Sequence, residues 1–157
     1  MPRLILILGL LLGSSALSAQ SWETLQSDPR LKLYRLKNNS EVYVSITRRA
    51  DERIPQFTKD SSKSTLALLL KQRAQAMELV GVRDWTATSS AWSADAKRLE
   101  IRGHYTDHKA RAVEFVEYHA YEGETSVQTL AVAPKSQLSA YAHDIAELLK
   151  HNEGNRR

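Results

Sequence analysis

The sequence predicts an α+β domain: one antiparallel sheet of about six strands in the order ββαββββα, with two principal helices packed on it. Three observations predict it. Apolar and polar residues alternate in short runs, the period of a strand with one face buried. Two longer runs repeat their apolar residues every three or four positions, the period of an amphipathic helix. The breaks between the last strand-like runs are short and polar, and only antiparallel neighbours can be joined that way.

Taken in order, "LKLYRLK" and "EVYVSIT" flank the polar break "NNS". Val42, Val44 and Ile46 alternate with Tyr43, Ser45 and Thr47, so the pair reads as a hairpin. In its first strand Leu31 and Leu33 are followed by Leu36, which points to a bulge or to burial on both sides. "RRADERIPQFTKDSSKS" contains Pro55 and polar clusters without a sustained period, and it reads as a long loop over 48–63. Leu66, Leu69, Leu70, Ala74, Met77 and Val80 then mark a helix, with Ser62 or Ser64 to cap its start and Gly81 to cap its end.

Four strand-like runs follow: Trp85 to Trp92, Leu99 to Tyr105, Arg111 to Tyr121 and Thr125 to Ala133. "SADAK", "TDHK" and "EGE" separate them, so they form a meander. The third run carries apolar residues at both parities, as a central strand covered on both faces does. Pro134 ends the last strand. Leu138, Tyr141, Ala142, Ile145, Leu148 and Leu149 then mark the second helix, with Ser136 as its N-cap and Lys150 and His151 at its negative end. Residues 20–150 are expected to form a single domain and 151–157 a disordered tail.

The chain opens "MPRLILILGLLLGSSALSAQSW", with Arg3, an apolar run from Leu4 to Leu12, and small residues from Ser14 to Ala19. The run is too short to span a bilayer. This order is that of a secretory signal peptide over 1–19, cleaved near Ser18 or Ala19. No cysteine stands there to take a lipid, so no stable membrane anchor is expected. Cleavage after Ser18 leaves about 139 of the 157 residues, enough for one core. Loss of Arg3 takes the formal charge from +4 to about +3 (4 − 1). With no cysteine the chain has no disulfide, no thiol chemistry and no cysteine–zinc site. A cysteine-free exported domain points to a periplasmic or secreted location, where nucleic acid is not an expected partner.

"HYTDHKARAVEFVEYH" gathers His104, His108 and His119 around Asp107. Zinc needs ligands within about 2 Å of one point. In a hairpin, His119 lies eight residues past Arg111, roughly 26 Å from the turn, and cannot join the others. His104, Asp107 and His108 then read as turn composition. His119 reads as a strand residue facing a neighbour or solvent, and His143 as an exposed helix residue. Glu114 and Glu117 differ by an odd number and face opposite ways. There is no G-x-S-x-G and no phosphate-cradling glycine loop. No enzyme activity, metal or cofactor is expected. The aromatic residues of the meander fall on both sheet faces, and the segment from Arg48 to Lys63 is locally basic. Arg48, Arg49, Arg53, Trp92 and Tyr121 are therefore the candidate binding residues.

The element order, with the closing "VQTLAVAPKSQLSAYAHDIAELLK", resembles the PsbP/Mog1/DcrB-like superfamily from about Leu31 to Lys150. The resemblance implies an accessory or adaptor protein, non-catalytic in most members and exported in several. It carries over no functional residue, and the absent lipid-attachment cysteine departs from the lipoprotein members. The first expectation is a non-enzymatic envelope protein that binds a protein partner or envelope component through its sheet face or the 48–63 loop. The alternative is a small hydrolase or ligand-binding protein with a cleft between that loop and the sheet. A cleft with convergent polar groups and a perturbed titrating side chain favours the alternative; a flat aromatic or basic patch favours the first.

Overall fold

The structure, a computed structural model, describes residues 21–50, 63–94, 96 and 98–154. Strands β1 (Trp22–Ser27), β2 (Leu31–Leu36) and β3 (Asn39–Ala50) come first. Helix α1 (Lys63–Leu79) precedes β4 (Arg83–Trp92), β5 (Arg98–Thr106), β6 (Ala112–Glu122) and β7 (Thr125–Pro134). A single 3-10 turn at Leu138–Tyr141 leads into α2 (Ala142–Gly154). All seven strands make one antiparallel sheet, ordered β1-β2-β3-β7-β6-β5-β4. The fold is α+β, with one strand more than the alternation predicts. The extra strand is β1, whose sequence "WETLQS" buries only Trp22. As an edge strand pairing with β2 across a bulge, it has no second buried residue to reveal a period.

The meander closes onto the hairpin through β3 and β7, which pair from Tyr43↔Val132 to Ala50↔Thr125. Strand β3 therefore continues past Thr47 through Arg48 and Arg49. These two residues were expected in a loop, and the correction has a simple cause: the β7 partner extends as far, so the backbone remains paired.

Adjacent residues of β6 belong to different cores. Val116 joins Leu36, Val42, Val44, Ile46 and Ala131 beneath Ile145 and Leu148 of α2. Phe115 joins Leu99 and Ile101 with Leu66, Leu69 and Leu70 of α1 packed against them. Neighbouring strand residues point to opposite faces, so the two helices cover opposite faces of the sheet. That is why β6 carries apolar side chains at both parities.

The ends of the helices differ in how legible they are. Gly81, with φ +83°, follows α1, and its amide donates to the Glu78 carbonyl at 3.0 Å, the expected glycine stop. Ser136 does not cap the last helix. It takes φ +67°, Gln137 precedes the 3-10 turn without a side-chain cap, and α2 begins only at Ala142. The expected tail from residue 151 is also corrected, because α2 runs to Gly154. Asn152 is buried there, its Nδ2 donating to the Leu148 carbonyl and its Oδ1 accepting from Tyr34 Oη at 2.8 Å and Lys32 Nζ at 3.1 Å. Residues 155–157 lie outside the described residues.

The β5–β6 turn is built on Asp107. Its Oδ1 accepts from the Lys109 and Arg111 amides, each at 2.9 Å, and its Oδ2 accepts from Arg111 Nε at 2.8 Å. Burial pushes this carboxyl up, but the Arg111 amide and guanidinium and the Lys109 amide outweigh it and hold it below its ordinary value. Asp107 here is turn chemistry.

Candidate functional site: a polar cleft over a buried ion pair

Alternation along β6 puts Phe115, Glu117, His119 and Tyr121 on the face that α1 covers. Glu117 has no exposed surface. A carboxylate in such a place is costly unless it is paired and hydrogen-bonded. Arg73 of α1 donates from Nη2 to Glu117 Oε2 at 2.7 Å, and His119 Nε2 contacts Glu117 Oε1. Burial pushes the Glu117 carboxyl up, but His119 and Arg73 together outweigh this and hold it below its ordinary value, so it is ionised at neutral pH. Arg73 is not saturated by the pair. Its Nε is buried without an acceptor, while the side chain as a whole remains 20% exposed.

Above this pair lies a cleft of about 240 Å³. Helix α1 contributes Leu69, Gln72, Arg73 and Ala76 to its wall, and β3 contributes Thr47 and Arg49. The floor comes from His119 and Tyr121 of β6 with Ser126 and Gln128 of β7. The ladder sets these opposite one another, pairing His119 with Gln128 and Tyr121 with Ser126. Among the described residues, none that lines it is acidic. The wall thus offers hydrogen-bond donors and positive charge, with an apolar patch from Leu69 and Ala76.

Of the sequence candidates, Arg49 and Tyr121 meet in this cleft. Arg48 points to the other sheet face, where its Nε lies 3.9 Å from Glu122 Oε2. Trp92 is half-buried against the cluster of Leu99, Ile101 and Phe115 and is not among the residues that line the cleft. Arg53 lies outside the described residues, as does the rest of 51–62.

Sequence reasoning missed Arg73, Glu117 and Gln128, and it placed His119 without a role. A signal was present. Leu66, Leu69, Leu70 and Met77 define the half-buried stripe of α1, and Arg73 falls in the middle of it at the same spacing; Val80, expected in that stripe, lies past the helix end and is 71% exposed. A cation inside a core stripe demands a buried anion, and Glu117 shares its parity with the apolar residue Phe115.

Two other concavities are built differently. Beneath α2 a groove of about 350 Å³ is lined by Arg98, Glu100, Arg102, Tyr118, Leu149 and Glu153 among others. Its charges are already matched: Arg98 Nη1 lies 3.5 Å from Glu153 Oε1, Arg102 pairs with Glu100, and Arg98 sits over the Tyr118 ring. A wider hollow at the end of the sheet is lined by Pro29, Arg30, Arg48, Arg49, Ala50 and Thr125, and it shares Arg49 with the cleft.

The register puts Glu114 opposite His104 and Leu99 opposite His119, so these two histidines occupy different faces and different ends of β5 and β6. Among the described residues no group of three His, Cys, Asp or Glu side chains is placed to hold a metal ion. Among them, too, no helix is long and apolar enough to cross a membrane. Fold and site define an α+β protein with a seven-stranded antiparallel sheet and a polar cleft over a buried Arg–Glu pair. No protein-family model matches the chain, and no curated protein matches it.

Proposed function

We propose that this chain is an exported ligand-binding protein, the alternative of the two expectations without its hydrolase, and that its ligand sits in the cleft between α1 and the β3–β7–β6 face. One observation carries the reading: a fully buried carboxylate, held ionised by Arg73 and His119, underlies a cleft whose wall is otherwise made of hydrogen-bond donors and apolar surface. Convergent polar groups beside a perturbed titrating side chain are the marks of a ligand site. Binding is favoured over hydrolysis because, among the described residues, neither Ser126 nor Thr47 hydrogen-bonds to His119, the only imidazole lining the cleft. The leader pattern over 1–19 and the absence of cysteine support export to a periplasm. The resemblance to the PsbP/Mog1/DcrB-like superfamily supports an accessory role.

A fragment screen by nuclear magnetic resonance tests the site. Binding shifts are expected to cluster on Gln72, Arg73, His119 and Gln128. Clustering in the groove beneath α2 would move the site to the other face and overturn the reading. Export is checked separately by the mass of the protein recovered from the expressing cell, which should begin just after Ser18 or Ala19.

A further inference from the structure

The charge and shape of the cleft go further than its existence. Two guanidinium groups, Arg49 and Arg73, line the cleft, and one carboxylate, Glu117, is paired beneath it, so these three groups leave one positive charge in excess. Among the described residues Arg49 has no ion-pair partner, and Arg73 keeps a buried Nε–H with no acceptor. The Arg73 side chain is 20% exposed, and an anionic acceptor seated against the open part of that guanidinium makes a charge-assisted hydrogen bond. Gln72 and Gln128 add amide donors, and Leu69 offers apolar surface beside them. At about 30 Å³ per water, the 240 Å³ cleft has room for roughly eight waters, so its occupant is small.

From these features, and resting on the cleft being the ligand site, we propose that the ligand is a small monocarboxylate with a short apolar body. Its carboxylate bridges Arg49 and Arg73, and its apolar body lies along Leu69 and Ala76. A single negative charge offsets the excess left by Arg49, Arg73 and Glu117, and a phosphate dianion exceeds it, which is why a carboxylate is the better match to these three groups.

Titration of isotope-labelled protein with butyrate and benzoate tests this, with benzamide, benzylamine and inorganic phosphate as controls. The Arg73 Nε–H and the Gln72 and Gln128 side-chain amide resonances are the readout. Both carboxylates should shift them at concentrations where the controls do not. Arg49→Ala should keep the melting temperature and weaken benzoate binding by about tenfold or more, and Arg49→Lys should recover part of it. Benzamide or benzylamine moving the same resonances as strongly as benzoate would overturn the anion assignment while leaving the cleft a ligand site. Phosphate binding more tightly than benzoate would overturn the monoanion. Silence of the cleft toward every probe would overturn the proposal, and the fragment screen then decides independently whether the cleft takes any ligand.

Discussion

Glu117 and Arg73 show how much one buried charge asks of its neighbours. The pair exists in a sheet interior where neither ion is stable alone. Arg73→Met leaves Glu117 short of its cation and should cost about 3–5 kcal/mol in urea unfolding. Arg73→Met combined with Glu117→Met removes both charges and should cost less than the single change; an additive result would show that the two groups do not act as a pair. The acid side follows from the same contact. The Glu117 carboxyl titrates lower in the folded protein than in the unfolded chain, so its contribution is complete above the unfolded value, about 4.3, and is lost as pH falls through the folded one. Glu117→Gln should therefore flatten the loss of stability on acidification. An unchanged slope would place the acid sensitivity elsewhere, with Asp107, which is depressed in the same direction, the next group to test.

At the scale of the element, β5 is set by its closest approach. A Cβ on Gly103 would lie 2.7 Å from Phe115 Cζ and press on the Thr86 carbonyl of β4. Only glycine lets β4 and the Phe115 ring meet here, and Phe115 in turn stacks on Trp85 at 5.3 Å between ring centroids. Gly103→Ala should lower stability by about 1–3 kcal/mol and alter the near-ultraviolet circular dichroism of the stacked rings. Retention of both would mean that β4 shifts away from β5 and the ring swings aside at little cost. For β3 the expectation is the opposite. Arg49 is exposed and has no ion-pair partner among the described residues, so alanine there should change unfolding free energy by less than about 0.5 kcal/mol, whereas the Arg48 side chain, only 19% exposed, should lose more through its packing.

In the whole molecule one sheet serves two cores, each closed by a different helix. Loss of either helix exposes a face of the same strands, so the cores should melt together. Calorimetric and van't Hoff enthalpies are expected to agree, and two resolved transitions would show the cores to be independent. Leu148 of α2 is only 4% exposed, and Leu148→Ala should cost about 2–5 kcal/mol in that single transition.

Periodicity was enough to read six of the strands, both helices, the antiparallel meander and the interior place of β6, because each of these rests on a repeated burial pattern along the chain. The edge strand β1 buries a single residue and leaves no period to read. The reach of β3 through Arg49 depends on how far β7 extends beside it, and the late start of α2 depends on the left-handed turn at Ser136. The cleft was half legible. Arg49 and Tyr121 stood out as surface chemistry, and Arg73 inside an apolar stripe already required an anion. Which anion it meets was decided only when α1 crossed β6, since a contact spanning 44 residues follows from packing and not from spacing.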